Sequence, residues 1–546
     1  MSTSRSQKLI ERKRRIAYRL RDRNWDEQPR PMFAAGNIHY DLADRDRGVG
    51  EGGIGAMHLL ARRVGLIDRI DRELHVLKRH LPYHESDHVL NIAYNILSGG
   101  TCLDDLELRR NNAVYLDALD AQRIPDPTTE GDFCRRFQRA DVESLMDAIN
   151  ETRIPIWQRQ PEAFFEEAVI DFDGSVAPTY GECKEGIGLS YKGVWGYHPL
   201  IVSLANTQEP LYLVNRSGNR PSHENAWPYA DGAIELCRRG GFKKILLRGD
   251  TDFTQTSQLD GWDAQGVGFL FGIDAMPNLV EIAEHLPESA WKPLERKAKY
   301  TVKTQPRRRP ANIKEKIVVE KGYENIKLVS EEAAEFPYRP TACAKTYRVV
   351  VVRKNLSVEK GEQVLFDDIK YFFYLTNDAK SDREALAIKA NGRCNQDPRG
   401  GLAPRPRVRR RGSQVQPAMP EKLIEQLKNG VHAMRMPVGD LVSNWAYMVM
   451  ASLAWTLKAW FALLLPEHGR WKEKYRSEKK SVLLMEFRGF VNALMRVPAL
   501  VVRTGRQLVF KLLSWNPWQA AFLRGVDALR RMDVRRGESL PRVLRC

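Results

Sequence analysis

The fold of this protein is decided by residues 168–175, which read AVIDFDGS. An apolar run leads into two acids separated by one residue, and a glycine and a serine follow. Side chains alternate between the two faces of a strand, so Asp171 and Asp173 would share one face while Phe172 points to the other. The pattern fits a buried strand that enters a polar turn, and it also fits a strand that presents carboxylates to a metal ion.

A second stretch of the same kind favours the metal site. Residues 244–253 read KILLRGDTDF, which is again a short apolar strand followed by glycine and two spaced acids, Asp250 and Asp252. Two strands that present carboxylates at one end of a sheet suit divalent-ion chemistry on phosphodiesters. Strand and helix patterns alternate from residue 163 to residue 275, which predicts a mixed α/β sheet.

The composition favours a polyanionic partner. The chain has 546 residues and a formal net charge of +17, which predicts more than one domain and an affinity for nucleic acid or for an acidic membrane surface. Its seven cysteines include no CxxC pair, which predicts a reducing compartment and argues against a cysteine-built zinc site. Residues 1–23 are basic without an apolar segment, so we expect no signal peptide.

The N-terminal part of the chain combines a basic arm with helical patterns. Residues 1–23 carry nine lysines and arginines, and both a solvated terminus and an arm that follows DNA phosphates fit this composition. From Gly52 to Arg159, apolar residues recur at helical spacing. Short helices separated by turns would suit a helix-turn-helix-like module, but no spacing identifies a recognition helix.

Residues 285–385 predict a separate, β-rich insertion. Lysines and arginines are dense there, and runs such as YRVVVV and YFFYL indicate strands. Basic strands interleaved with exposed aromatic side chains, of which Trp291 is an example, fit the tracking of a nucleic-acid backbone and the stacking of bases. A solvated basic rim is the alternative.

Residues 397–420 interrupt the chain with an unusual composition. They read DPRGGLAPRPRVRRRGSQVQPAMP, with six arginines and one aspartate, and a stretch so rich in Pro, Gly and Arg predicts a disordered or exposed loop. A helix is predicted directly after it, in which Glu421, Glu425 and Lys428 fall within about 60° of one another. These acids could turn toward a metal site, and a plain amphipathic surface helix is the alternative.

One segment is long and apolar enough to span a membrane. Residues 445–465 read WAYMVMASLAWTLKAWFALLL, and a fully buried core helix would have the same composition. Lys458 near the middle of the segment would cost roughly 3 kcal/mol in lipid. We therefore expect a core helix that packs on the sheet, and no membrane partner.

Several stretches taken together resemble the DDE transposases of bacterial insertion sequences, in the branch whose catalytic core is split by a β-rich insertion. The resemblance rests on IDFDGS, on LLRGDTDF, and on RCNQ with EKLIEQLK followed by NWAYMVMASLAW. GTCLDDLELRR and PDPTTEGDFCRRF fit the N-terminal region of that family, and SYKGVWGYHPL and NRSGNRPSHENA fit its core. The similarity covers roughly residues 30–500.

The resemblance implies an α/β fold with a ribonuclease H-like mixed sheet, an N-terminal helical domain and a β-rich insertion domain. The implied domains are a basic arm and helical, DNA-end-binding domain (1–160), the first part of the catalytic core (161–284), the insertion (285–385), the second part of the core (386–470) and a basic helical C-terminal region (471–546).

The resemblance also implies the site residues. The catalytic, metal-binding carboxylates would be Asp173, Asp250 and Glu421, with Asp171, Asp252 and Glu425 as their alternates. They would hold two Mg²⁺ or Mn²⁺ ions per site. Arg393 and Lys428 of the family's helix signature would contact DNA phosphates, and Trp291 would receive a flipped base.

The chain departs from the family pattern at the third carboxylate. The 24 residues from Asp397 to Pro420 separate Gln396 from Glu421, and joining these two residues would restore the family spacing. The tyrosine expected three residues before Arg393 falls on Ala390.

We therefore predict a cytoplasmic, nucleoid-associated transposase that moves an insertion sequence by cut-and-paste. Its partner would be double-stranded DNA with terminal inverted repeats, bound by a homodimer. Two alternatives remain open: a DNA-binding protein descended from a transposase that no longer cuts, and a ribonuclease H-like, structure-specific nuclease without strand transfer.

Overall fold

A computed structural model of the chain describes residues 2–19, 35, 37–40, 47–78, 82–179, 181, 183–190, 193–295, 324–360, 363–392, 421–504 and 507–532. The chain divides into two compact units. The first unit comprises residues 1–160, 183–185 and 426–546, and the second comprises residues 161–182 and 186–425. The roles assigned to the predicted domains stay predictions.

The α-helices of the described residues are α1 (Ser2–Arg19), α2 (Ile54–Arg63), α3 (Leu66–Glu73), α4 (Glu85–Leu97), α5 (Leu106–Arg110), α6 (Ala113–Leu119), α7 (Pro127–Cys134), α8 (Arg139–Trp157), α9 (Trp227–Gly240), α10 (Thr256–Ala264), α11 (Pro277–Glu284), α12 (Arg383–Asn391), α13 (Glu421–Glu425), α14 (Leu441–Leu463), α15 (Lys472–Leu483), α16 (Phe487–Phe490) and α17 (Gln519–Arg531).

The β-strands are β1 (Gly48–Val49), β2 (Ala168–Gly174), β3 (Ala177–Pro178), β4 (Gly188–Leu189), β5 (Trp195–Tyr197), β6 (Leu200–Leu204), β7 (Glu209–Val214), β8 (Ile245–Gly249), β9 (Gly268–Ile273), β10 (Lys292–Pro293), β11 (Glu324–Tyr338), β12 (Tyr347–Lys360), β13 (Gln363–Thr376), β14 (Ala499–Thr504) and β15 (Gln507–Leu512).

The second unit is built on a nine-stranded mixed sheet, whose strand order is β10-β11-β12-β13-β9-β8-β2-β6-β7. At one end, β6 runs antiparallel to both β2 and β7. On the other side of β2, β8 and β9 follow in parallel. This five-stranded order is the ribonuclease H-like arrangement, so the predicted fold class is confirmed.

The β-rich insertion extends this sheet. Strand β13 pairs with β9, with Phe373–Thr376 opposite Leu270–Ile273. One buried cluster joins Leu270 of a core strand, Val350 of β12 and Leu386 of α12. The expectation that the insertion is separate was wrong, because its strands continue both the hydrogen-bond ladder and the apolar core of the sheet.

The first unit is built around α14. Every residue from Ser443 to Leu463 is buried, and its main packing partners are α2, α4, α7, α8 and α15. Among the described residues, this is the one helix long and apolar enough to cross a membrane, and its apolar window is wholly enclosed by protein. The prediction of a core helix is confirmed, but the helix packs on other helices and not on the sheet that we predicted as its partner.

The charge of Lys458 is accommodated inside this core. Its ammonium donates a hydrogen bond to the carbonyl oxygen of Leu483 at 2.7 Å and lies 3.7 Å from the ring centroid of Trp455. A buried cation is tolerated when hydrogen bonds and an aromatic face replace part of its hydration. The lysine therefore fits a helix in the protein interior.

The basic arm contains a docked helix, α1. The Nη1 atom of Arg12 donates to the carbonyl oxygens of Leu512 and Ser514 at 2.9 and 3.1 Å. Arg5 forms an ion pair with Asp527 at 3.1 Å. These contacts hold residues 2–19 against the C-terminal part of the same unit.

The helix after the interruption is irregular. Helix α13 ends at Glu425, and residues 426–430 continue as a π-helix that contains Lys428. Because a π-helix turns through a smaller angle per residue than an α-helix, the predicted alignment of Glu421, Glu425 and Lys428 does not hold. Arg393 and residues 397–420 lie outside the described residues.

Candidate active site at the ends of two acidic strands

The two acidic strands are parallel neighbours in the sheet. Their ladder runs from Ala168 opposite Ile245 to Asp171 opposite Arg248. Continuing this register by two residues places Asp173 level with Asp250, just past the end of the ladder. Neighbouring strands are about 4.8 Å apart, so the fold brings the two predicted metal ligands to one edge of the sheet.

A buried ion pair lies directly below these two residues. The guanidinium of Arg248 donates from Nε to Oδ1 of Asp171 at 2.6 Å and from Nη2 to Oδ2 at 2.8 Å. Both side chains are only 4% exposed. Since residues two apart in an extended chain share a face, Asp173 and Asp250 lie on the same side of the sheet as this pair.

The ion pair gives Asp171 a structural role. One guanidinium engages both of its oxygens, away from solvent. Arg248 also donates from Nη1 to the carbonyl oxygen of Lys389 at 2.7 Å, so the same side chain holds the end of α12 over this face of the sheet. The arrangement favours Asp173 over Asp171 as the metal ligand of β2.

The two acids that follow β8 have different surroundings. Asp250 caps a short 3-10 turn, Thr251–Phe253, by accepting a hydrogen bond from the backbone nitrogen of Asp252 at 3.2 Å. Asp252 accepts a hydrogen bond at 2.7 Å from the hydroxyl of Ser222. Both aspartates are exposed, but Asp252 is bound by a residue of a neighbouring loop.

That loop, residues 215–226, connects β7 to α9 and was missed as a functional element by the sequence analysis. Its centre is the buried guanidinium of Arg216, which donates from Nε to the carbonyl oxygen of His198 at 3.0 Å and from Nη1 to those of Ser222 and Glu224 at 2.8 and 2.9 Å. Burial lowers the pKa of Arg216 to about 10. The motif NRSGNRPSHENA was the available signal, but it identifies no role for its residues.

The loop approaches β2 closely at Gly174. A Cβ atom at this position would lie 2.8 Å from Nε2 of His198 and 3.0 Å from Oγ of Ser222. Only a residue without a side chain leaves room for that approach. The glycine of AVIDFDGS therefore lets a second segment reach the carboxylate end of the strand.

The third carboxylate stays a prediction. Glu421 begins α13, but its side chain lies outside the described residues, and Glu425 is exposed at the end of the same helix. Among the side chains that the structure describes, no three His, Cys, Asp or Glu residues are grouped to hold a metal. The carboxylates of Asp173 and Asp250 are oxygen donors, the ligand type that Mg²⁺ and Mn²⁺ prefer.

The prediction that Trp291 is exposed was wrong. Its side chain is 7% exposed, and the guanidinium of Arg353 lies 4.3 Å from its ring centroid. Arg353 is held there by ion pairs with Glu288 and Glu332 at 2.9 and 2.7 Å. A cation covers the ring face that a flipped base would need.

Comparisons with known proteins identify a family and include a similar solved structure. Residues 46–383, more than half of the chain, match the model of a family described as transposase DDE domain group 1. The cryo-EM structure of a piggyBac transposase synaptic complex with hairpin DNA is similar over 81% of this chain and 83% of its own, at 11% sequence identity and a TM-score of 0.33. No curated protein matches.

The two aspartates of β2 should respond differently to the same substitution. Asp171→Asn leaves the buried Arg248 without its charge partner, which should lower the free energy of unfolding by about 3 kcal/mol. Asp173→Asn changes a half-buried residue near the end of β2 and should lower it by a smaller amount, while weakening Mn²⁺ binding. Urea denaturation and Mn²⁺ titration measure the two effects. Equal loss of stability in both variants would contradict the assignment.

Proposed function

Because the chain belongs to the family described as transposase DDE domain group 1, we propose that it is a DNA transposase that moves a DNA segment by cut-and-paste. Family membership confirms the resemblance found in the sequence, whereas the bacterial insertion-sequence origin stays a prediction. The proposal is supported by the parallel pairing of β2 with β8, whose ladder ends at Asp171 opposite Arg248, two residues before Asp173 in β2 and Asp250 just after β8. Both residues lie within the segment that matches the family.

The proposed reaction is in-line displacement at a phosphodiester, first by water and then by a freed 3′-hydroxyl. Asp173 and Asp250 would hold divalent ions through their carboxylate oxygens, with Glu421 as the third ligand. Bound Mg²⁺ or Mn²⁺ would neutralise charge on the attacking and leaving oxygens. The buried pair of Asp171 and Arg248 keeps the two strand ends in register, so the ligands need little rearrangement.

The proposed partner is double-stranded DNA with terminal inverted repeats, bound by a homodimer. The docked helix α1 supports a DNA partner, since it carries cations on a rigid element. Besides Arg5, which pairs with Asp527, its exposed basic residues are Lys8, Lys13, Arg14, Arg15 and Arg19. Cations fixed along one helix can contact successive phosphates without first being ordered.

Cleavage of DNA that contains the inverted repeats flanking the gene tests the proposal. Mg²⁺-dependent cleavage should fall by at least about a hundredfold in each of the variants Asp173→Ala, Asp250→Ala and Glu421→Ala. Loss of a partner outside the ligand shell already lowers metal affinity or activity about 10- to 100-fold, and loss of a ligand should cost more. Binding of the same DNA in a gel-shift assay should persist, since phosphate contacts remain.

Glu425→Ala is the matched control and should cleave normally. If it loses cleavage while Glu421→Ala retains it, Glu425 is the ligand. If Asp250→Ala cleaves like the unaltered chain, the proposed site is wrong. Cleavage without joining of the freed 3′ end would instead identify a structure-specific nuclease.

A second candidate function is a DNA-binding protein that no longer cuts. One observation favours it: residues 397–420 separate the end of α12 at Asn391 from Glu421, which begins a helical segment of its own. The family resemblance places Arg393 and the glutamate on one continuous helix. The interruption would leave the third carboxylate in the first turn of a short helix.

Deletion of Asp397–Pro420 separates these candidates. We expect strand transfer to rise at least about tenfold, because a misplacement of about 1 Å at a reacting centre can cost a hundredfold in rate. The melting temperature should change little, since the entropy of loop closure grows only logarithmically with length. In the control variant, a Gly/Ser linker of equal length replaces residues 397–420, which keeps the length of the segment and removes its charge. Equal or lower strand-transfer activity in the deletion variant would show that residues 397–420 contribute to activity.

The contribution of α1 to DNA binding is measurable through its salt dependence. Replacing Arg15 and Arg19 with alanine should weaken DNA binding and reduce the slope of log K against log salt by about 1.8, which corresponds to two phosphates. The control replaces Arg110 and Arg135, which are exposed but paired with acids three residues away. An equal change in both double variants would exclude α1 as a specific DNA contact.

A further inference from the structure

One short loop reaches the ends of both acidic strands. At the end of β2, residues 215–226 approach Gly174 so closely that Oγ of Ser222 would lie 3.0 Å from a Cβ atom there. At the end of β8, the same hydroxyl donates to Oδ2 of Asp252 at 2.7 Å. Ser222 therefore lies beside Gly174 at the end of β2 and binds the turn that follows β8.

The loop is held in shape from within. Arg216 engages the backbone carbonyl of Ser222, so this contact does not depend on the serine side chain. His198 is fixed by a hydrogen bond at 2.9 Å between its Nδ1 and the carbonyl oxygen of Arg220. Because a carbonyl can only accept, Nδ1 carries the proton. The side chain of Ser222 is thus presented by a scaffold that does not require its hydroxyl.

Hydrogen bonds hold the turn that contains Asp250 on two sides. The hydroxyl of Thr254 donates to the carbonyl oxygen of Gly272 in β9. On the other side, Asp252 accepts from Ser222. Between these two attachments the carboxylate of Asp250 caps the turn itself. The bond between Ser222 and Asp252 is therefore one of the contacts that hold the turn in which Asp250 lies.

We propose that residues 215–226 form a positioning loop that sets the separation of Asp173 and Asp250, and that Asp252 receives the hydroxyl of Ser222 instead of binding metal. This inference rests on the proposed function, because it assigns Asp173 and Asp250 to one metal site. Ser222 and Asp252 act through Asp250, so they are positioning residues. Partners outside the ligand shell control metal affinity by about 10- to 100-fold.

Calorimetric titration of the full chain with Mn²⁺ tests the proposal. Ser222→Ala should raise the dissociation constant about tenfold, and Ser222→Thr, which keeps the hydroxyl, should restore it. Asp252→Asn should bind almost normally, because its amide oxygen still accepts the bond, whereas Asp250→Asn should lose binding. An unaltered affinity in Ser222→Ala, or a loss in Asp252→Asn as large as in Asp250→Asn, would overturn the proposal.

Hydrogen exchange of the metal-free chain provides a readout that does not depend on metal. Ser222→Ala should speed exchange in the peptide that spans Thr251–Phe253, whereas the control Ser257→Ala, on the neighbouring helix α10, should not. Unchanged exchange in Ser222→Ala overturns the positioning role. If exchange responds as expected but Asp250→Asn binds Mn²⁺ like the unaltered chain, the proposed metal site fails while the loop contact stands.

Discussion

The candidate site depends on the buried ion pair between Asp171 and Arg248. Two charges taken out of water are costly unless their geometry is close to ideal, and here two parallel hydrogen bonds of 2.6 and 2.8 Å satisfy the carboxylate. The pair occupies the last rung of the ladder between β2 and β8. A slip of one residue would turn either partner to the opposite face. The pair therefore specifies the register that brings Asp173 level with Asp250.

Two buried guanidinium groups organise the surroundings of the site in different ways. Arg248 has a charged partner and joins two strands to α12. Arg216 donates its hydrogen bonds to backbone carbonyl oxygens, and although burial lowers its pKa to about 10, it stays charged at neutral pH. Arg248 sets the relation between strands, whereas Arg216 sets the shape of a loop. Both arginines therefore stabilise the edge of the sheet at which Asp173 and Asp250 lie.

The two segments that divide the core differ in composition. The β-rich insertion supplies apolar residues such as Val350 and Val352, which join Leu270 and Leu386 in one buried cluster. Residues 397–420 contain few apolar residues and six arginines, so their sequence provides little that could be buried. An insertion can be absorbed into a sheet when it brings its own core residues.

The sequence by itself determined the elements and the fold class. Alternation and apolar runs predict β2, β8 and the buried helix α14, because burial imposes a local periodicity that each segment carries within itself. It also predicted two candidate aspartates at the end of each acidic strand, Asp171 or Asp173 and Asp250 or Asp252, because acids two residues apart lie on the same face.

Only the tertiary structure showed that the contacts of Asp171 differ from those of Asp173, and the contacts of Asp252 from those of Asp250. Asp171 is bound by a residue 77 positions away, and Asp252 by one 30 positions away. Trp291 is covered by Arg353, whose partners Glu288 and Glu332 lie on other elements. Such contacts depend on which segments the fold brings together. No local pattern encodes them, so the surroundings of each residue follow from the packing of distant parts of the chain.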